Sequence, residues 1–174
     1  MTLDERTQSL NLVCNSSVHD IKGIDAQDFP PMPVTDPEEG MELNLADFKE
    51  MIQQVAFAAS TDEARPVLTG VLLAAKENMI SLSAADGFRL SIRKDELKNP
   101  LSQPITAVIP ARALTELARI AADGNQEMIM VMPPGRGQVV FHTKDIELVS
   151  QLIEGNFPEL EQLIPRRFNT RTVL

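Results

Sequence analysis

The stretch from Arg65 to Arg93 constrains the fold most, because most of it alternates apolar and polar residues. A period of two is typical of strands with one buried face. It predicts three extended segments, at residues 67–75, 79–85 and 88–93. Asp86-Gly87 stands between the last two, and a two-residue Asp-Gly link is typical of a hairpin turn. The sequence therefore predicts a three-stranded antiparallel meander.

The last predicted strand of this meander places Phe88 and Leu90 on its apolar face and Arg89 on its polar face. Arg89 follows the predicted turn directly, and Leu68 lies at the start of the first predicted strand. These positions suit the rim of a small apolar groove. The alternative interpretation is that both leucines are ordinary core residues and Arg89 is simply solvated.

The same order of elements is predicted twice in the middle of the chain. Residues 42–60 read as a strand followed by a helix whose apolar positions recur at helical spacing. After the first meander, residues 105–109 read as a strand. Pro110 is predicted in the first turn of a second helix, which ends at 123–125. A second meander is predicted at 128–132, 138–142 and 146–152. The prediction is an α+β fold with two tandem strand-helix-three-strand halves.

Two similar segments indicate a repeat of domain size. Residues 24–30 resemble residues 153–158, and their Phe-Pro pairs lie 128 residues apart. Four prolines between positions 30 and 37 predict a linker. The predicted organisation is the end of one domain (1–34), a linker (35–41), a complete domain (42–165) and the start of a third domain (166–174).

Composition limits the class of function. The chain of 174 residues is 43% hydrophobic, which is typical of a globular protein. Cys14 is the single cysteine, so no internal disulfide is possible, and this suits a reducing cytoplasm. We identify no signal peptide and no apolar run long enough to span a bilayer. A net charge of −9 argues against binding nucleic acid by bulk electrostatics, so a DNA function would need a local basic strip or a means other than affinity.

Three motifs, RPVLTGVLL (65–73), ADGFRLS (85–91) and LIEGNFPELEQLIP (152–165), resemble the bacterial DNA polymerase III beta subunit, the sliding clamp. The resemblance covers nearly the whole chain. It implies a DNA-clamp fold, with helices on one side and antiparallel sheets on the other, and a non-catalytic processivity factor. Such clamps are head-to-tail homodimers of three-domain chains that encircle duplex DNA without sequence specificity. This chain would be an incomplete clamp, unable to close a ring.

The resemblance also implies two binding surfaces. One is a cleft between the middle and third domains, which docks peptides of the polymerase III catalytic subunit, the clamp loader and other clients. Its residues on this chain would be Leu68, Gly87, Phe88, Arg89, Leu90 and Pro165. Ala85 and Phe88 depart from the threonine and histidine that are commoner in the family. The DNA-facing residues would be Lys49, Arg112 and Arg119, although Glu116 between the two arginines also fits an ordinary solvated helix face.

Other chemistry has weaker support. His19 and His142 lack neighbours in a ligand pattern, so we predict no metal site and no cofactor. Two other functional classes remain open: a β-rich peptide- or small-molecule-binding domain unrelated to replication, and a hydrolase using carboxylates such as Asp86 and Asp145. Topology separates them, since tandem helix-plus-meander halves favour a clamp and a closed barrel around a polar cavity favours a binding domain.

Overall fold

The computed structural model describes residues 1–29, 31–121, 126–164 and 170. The chain divides into two compact units, Met1–Pro33 and Val34–Leu174. The first unit is an antiparallel sheet in the order β1-β2-β3, built from Thr2–Asp4, Ser9–Cys14 and Ser17–Lys22. None of its strand residues is fully buried, and Val13, Val18 and Ile21 are at least half exposed.

The second unit contains the remaining strands and helices. Its strands are β4 (Met41–Asn44), β5 (Gly70–Lys76), β6 (Met79–Ala85), β7 (Leu90–Glu96), β8 (Ile105–Pro110), β9 (Glu127–Val131), β10 (Gln138–His142) and β11 (Glu147–Gln151). Its helices are α1 (Leu45–Val55), α2 (Ala111–Ile120) and the short α3 (Leu160–Leu163). No helix in the described part of the chain has the length and apolarity needed to cross a membrane.

The two predicted halves exchange their leading strands. One sheet has the order β7-β6-β5-β8 and the other β11-β10-β9-β4, and all their pairings are antiparallel. Thus β4 begins the first half but pairs with β9, with Met41 opposite Met130. In the same way β8 begins the second half but pairs with β5, with Ala75 opposite Ile105. The sequence predicted these strands, whereas their partners come from the structure.

The helices close one shared core. The Asn44 side chain accepts hydrogen bonds from the N–H groups of Ala46 and Asp47, which fixes the start of α1. Apolar stripes of both helices are buried in a single cluster with residues of both sheets. Phe48 of α1 contacts Phe141 of β10 at a ring-centroid distance of 6.2 Å, so the first-half helix packs on the second-half meander. The two helices also contact each other.

The two sheets also meet where the chain leaves β11. The Ile153 N–H donates to the Val108 carbonyl of β8 at 2.8 Å. Gly70 lies beneath this crossing. A Cβ at position 70 would lie 2.4 Å from Val108 Cγ1 and 3.0 Å from Ile153 Cδ1, so the close approach requires glycine.

The structure confirms the α+β fold with two tandem halves and corrects two boundaries. The first strand of the meander begins at Gly70 rather than at 67, because Pro66–Thr69 forms a 3-10 turn closed by the Thr69 hydroxyl on the Pro66 carbonyl. Pro110 ends β8 and precedes α2 instead of lying in its first turn. The predicted helix end at 123–125 lies outside the described residues.

Because Phe141 is fully buried against Phe48, Phe141→Ala should lower the free energy of unfolding of this unit by about 3–5 kcal/mol. Phe88→Ala is a matched control, since Phe88 is 99% exposed, and should change it by less than about 0.5 kcal/mol. Urea unfolding followed by far-UV circular dichroism measures both values. Equal unfolding midpoints for the two variants would contradict the core described above.

Candidate functional site

The loop between β6 and β7 is organised by one aspartate side chain. Asp86 Oδ1 accepts hydrogen bonds from the N–H groups of Phe88 and Arg89, at 2.9 and 3.0 Å. The Asp86 N–H in turn donates to the Arg89 carbonyl at 3.2 Å. Gly87 has φ +94°, a conformation that favours glycine. The last strand pair is Ala85 and Leu90.

These bonds correct the predicted turn. The sequence predicts Asp86-Gly87 as the two-residue link, but the tip of the loop is Gly87-Phe88, one residue later. The physical reason is that the Asp86 carboxylate, rather than its carbonyl, receives the N–H groups that close the loop. Phe88 is consequently 99% exposed, so its predicted place on the apolar face of a strand is wrong.

Arg89 is held on two sides. Its Nε donates to Asp86 Oδ2 at 3.0 Å. Its guanidinium carbon lies 5.6 Å from the centroid of the Phe57 ring, within the range of a cation–π contact. The backbone N–H groups of Phe88 and Arg89, together with the Arg89 side chain, hold the pKa of Asp86 below its ordinary value. The loop therefore carries a fixed ion pair at its surface.

Sequence reasoning missed Arg65. Its Nε donates to Asp62 Oδ2 at 3.2 Å, and its Nη2 reaches the Asp86 carbonyl at 3.5 Å. Arg65 thereby joins the loop after α1 to the loop between β6 and β7. A signal was present, because Asp62 and Arg65 have the same three-residue spacing as Asp86 and Arg89.

The other predicted cleft residues surround this loop. Leu68 is half-buried in the 3-10 turn that Arg65 precedes, and its carbonyl accepts the Ser60 N–H at 2.8 Å. Leu90 is half-buried as the first residue of β7, and Ala85 is buried. Gly87 and Arg89 are exposed. The predicted wall residue Pro165 lies outside the described residues.

The three predicted DNA-facing residues have different environments. Lys49 is half-buried on α1, and its Nζ donates to the Ala121 carbonyl at 3.4 Å. Arg119 is exposed but bonds Glu116 twice, at 3.0 and 2.5 Å, and this pairing holds the pKa of Glu116 below its ordinary value. Arg112 is exposed at the start of α2.

A groove of about 390 Å³ separates the exposed faces of α1 and α2. Its polar lining comes from Gln53, Thr115 and Arg119. Phe57, in the turn that follows α1, also lines it. Phe57 thus borders both the interhelical groove and the loop that holds Arg89.

His142 lies outside both of these surfaces and has two polar contacts. Its Nε2 is 2.8 Å from the Thr35 hydroxyl, and its Nδ1 is 3.1 Å from Glu147 Oε1.

The structure thus defines a class: it is a duplicated α+β domain. Two neighbouring helices pack on two antiparallel sheets that exchange strands. The model of the DNA polymerase III beta subunit, central domain, matches residues 42–159. The chain therefore belongs to the DNA polymerase III beta subunit family.

Individual relatives agree with this assignment. The beta sliding clamp of Bacillus subtilis is 31% identical over 173 residues, which are 99% of this chain and 45% of that protein. The beta sliding clamp of Synechococcus elongatus is 33% identical over 172 residues, 97% of this chain and 45% of that protein. The crystal structure of the Bacillus subtilis DNA polymerase sliding clamp superposes with a TM-score of 0.78 at 30% identity, covering 94% of this chain and 42% of that one. The chain thus spans less than half the length of these relatives.

The lowered pKa of Asp86 predicts an acid-resistant loop. A carboxylate whose pKa is lower in the folded chain stabilises the fold fully above its unfolded pKa, about 3.9, and loses this contribution as the pH falls through its own lower value. We expect the Asp86 carboxyl resonance and the Phe88 and Arg89 amide shifts to titrate together, below the ordinary aspartate pKa of about 3.9. NMR titration of the labelled chain measures all of these.

Asp86→Asn is the control, since it removes the titrating group and should abolish the acid-dependent amide shifts. An Asp86 midpoint at or above the ordinary aspartate value of about 3.9 would contradict the hydrogen bonding assigned to the loop.

Proposed function

We propose that this chain is part of a non-catalytic processivity factor that encircles duplex DNA and tethers a replicative polymerase to it. The observation that carries the proposal is the architecture: two helix-plus-meander halves share one core, and two neighbouring helices pack on the two sheets. Residues 1–34 would be the end of a first clamp domain, 42–165 the middle domain and 166–174 the start of a third. A head-to-tail homodimer of full-length chains in the cytoplasm would complete the ring.

The charge distribution suits a ring that slides. A net charge of −9 disfavours tight binding to phosphate, and a closed ring holds DNA by topology instead. A few cations on the helix face are then enough to contact the DNA backbone. Arg112 is the strongest of the three candidates, because Glu116 offsets the charge of Arg119 and Lys49 is half-buried against the carbonyl of Ala121.

The loop around Arg89 suits recognition of a short extended peptide. Leu68 and Leu90 offer half-buried apolar surface, and Arg89 offers a fixed cation beside it. Small interfaces of this kind draw most of their energy from a few anchored side chains. Polymerase III and clamp-loader peptides would bind here, with the third domain supplying the other half of the cleft.

The alternative classes have less support. A hydrolase needs a carboxylate free to exchange protons, and such groups usually have raised pKa values. Asp86 is instead fully engaged in hydrogen bonds and has a lowered pKa. The β-rich binding domain predicted a closed barrel, whereas this unit contains two open four-stranded sheets.

Leu68→Ala and Arg89→Ala should each weaken binding of a short peptide ending in Leu-Phe by about fivefold or more, because each removes one anchor of the proposed cleft. NMR shift titration of the labelled chain measures the affinity. Met79→Ala is the control, since Met79 is partly exposed at the opposite end of β6 and should leave the affinity unchanged. Equal affinities for wild type and both cleft variants would sink the cleft assignment.

Arg112→Ala should reduce the salt dependence of DNA binding by roughly one phosphate contact, a change of about 0.9 in the slope of log K against log salt. Arg119→Ala should change the slope less, because Glu116 already pairs with that guanidinium. Fluorescence anisotropy across a salt series, with both substitutions placed in a ring-forming protein that contains this domain, tests the difference. An unchanged slope for Arg112→Ala would remove it from the DNA-facing surface.

A further inference from the structure

Phe57 is an exposed aromatic residue in a rigid setting. It lies in the 3-10 turn Ala56–Ala58 that follows α1, and 59% of its surface is exposed. Val55, two residues before Phe57, and Ala58, which follows it, are completely buried, so the backbone on both sides of the ring is anchored in the core. Large aromatic side chains held at the surface in this way are common at sites that bind other proteins or peptides.

A second contact fixes the distance between this turn and the Arg89 loop. The Ser91 hydroxyl of β7 donates to the Gln54 carbonyl at the end of α1, at 2.6 Å. Ser91 is two residues from Arg89, and Gln54 is three residues from Phe57. This hydrogen bond joins the two segments that carry the ring and the guanidinium, and these two groups lie 5.6 Å apart.

The donors of Arg89 are only partly used. Its Nε donates to Asp86 Oδ2, while neither of its Nη groups donates a hydrogen bond to a residue that the structure describes. Arg65 makes an instructive comparison, because it has the same spacing to an aspartate but also directs Nη2 to the Asp86 carbonyl. Among the described residues, Arg89 thus differs from Arg65 in that neither of its Nη groups has a hydrogen-bonded acceptor.

We infer that Phe57 is a positioning residue for client recognition: its ring and the Asp86 carboxylate together fix the Arg89 guanidinium, so that the Nη edge binds a carbonyl or carboxylate oxygen of the bound peptide. The inference rests on the proposed peptide-binding function of this loop. A planar guanidinium held on one edge and one face loses less side-chain entropy when it binds an oxygen. The ring acts through Arg89 and needs no contact with the peptide itself.

The test compares Phe57→Leu with Phe57→Tyr. Leucine keeps an apolar side chain but removes the aromatic face, and tyrosine keeps the face. Cation–π contacts at exposed sites correspond to about two- to fivefold in affinity, so Phe57→Leu should weaken binding of the Leu-Phe peptide by that factor. Phe57→Tyr should stay close to wild type. In an Arg89→Ala background, Phe57→Leu should have no further effect.

Two further measurements identify the role of the ring. In the free chain, the Arg89 Nε–Hε resonance should move in Phe57→Leu and return towards the wild-type position in Phe57→Tyr. A peptide with a free C-terminus and its amidated form distinguish a terminal carboxylate from a backbone carbonyl. A loss on amidation that is absent in Arg89→Ala indicates that the carboxylate binds Arg89, and equal affinities that fall alike in Arg89→Ala indicate that a carbonyl does.

The outcomes separate this inference from the proposed function. If the wild-type peptide binds and Phe57→Leu binds equally well, the positioning role is wrong and the cleft stands. If Phe57→Leu weakens binding just as much without the Arg89 side chain, the ring acts by direct contact and the inference is overturned. If the Arg89 Nε–Hε resonance is unchanged in Phe57→Leu, the ring does not position the guanidinium. If no peptide binds wild type, the cleft and the inference both fail.

Discussion

The exchange of leading strands is the constraint on which the second unit depends. Because β4 completes the sheet of the second half and β8 completes that of the first, neither half can form its full sheet alone. The shared sheets bring Phe48 and Phe141 into contact and place the buried stripes of α1 and α2 on one core. The helix face and the β6–β7 loop therefore keep their relative positions through one continuous packed interior.

The candidate site is held on this packed interior by a small number of side-chain hydrogen bonds. One carboxylate, Asp86, closes the loop through two backbone N–H groups and still binds the Arg89 side chain. A second aspartate–arginine pair at 62 and 65 joins the neighbouring loop to it. Ionised acceptors form the stronger class of hydrogen bond, so a short exposed loop can be well defined without being buried.

Much of this organisation could be predicted from the residues, because period-two and period-3.6 patterns report directly which face of a strand or helix is buried. The stripes of α1 and α2 and the strands of both meanders follow from such patterns. Strand partners do not, because a pattern shows that β4 has a buried face but carries no information on its neighbour. The site residues are harder to predict because they depend on contacts between side chains and loops. Phe88 fits the alternation of a strand, but the hydrogen bonds of the Asp86 side chain place it in the loop. Arg65 belongs to the site only through its contact with the Asp86 carbonyl.

The pairing of β4 with β9 also has a consequence for the order of synthesis. The ribosome makes β4 and α1 long before β9, so the strand that opens the unit has no partner until most of the unit has been translated. During that interval the backbone edge of β4 is unpaired, and unpaired strand edges favour the aggregation of nascent chains. The contacts that make the finished unit indivisible therefore also delay the completion of this sheet until late in translation.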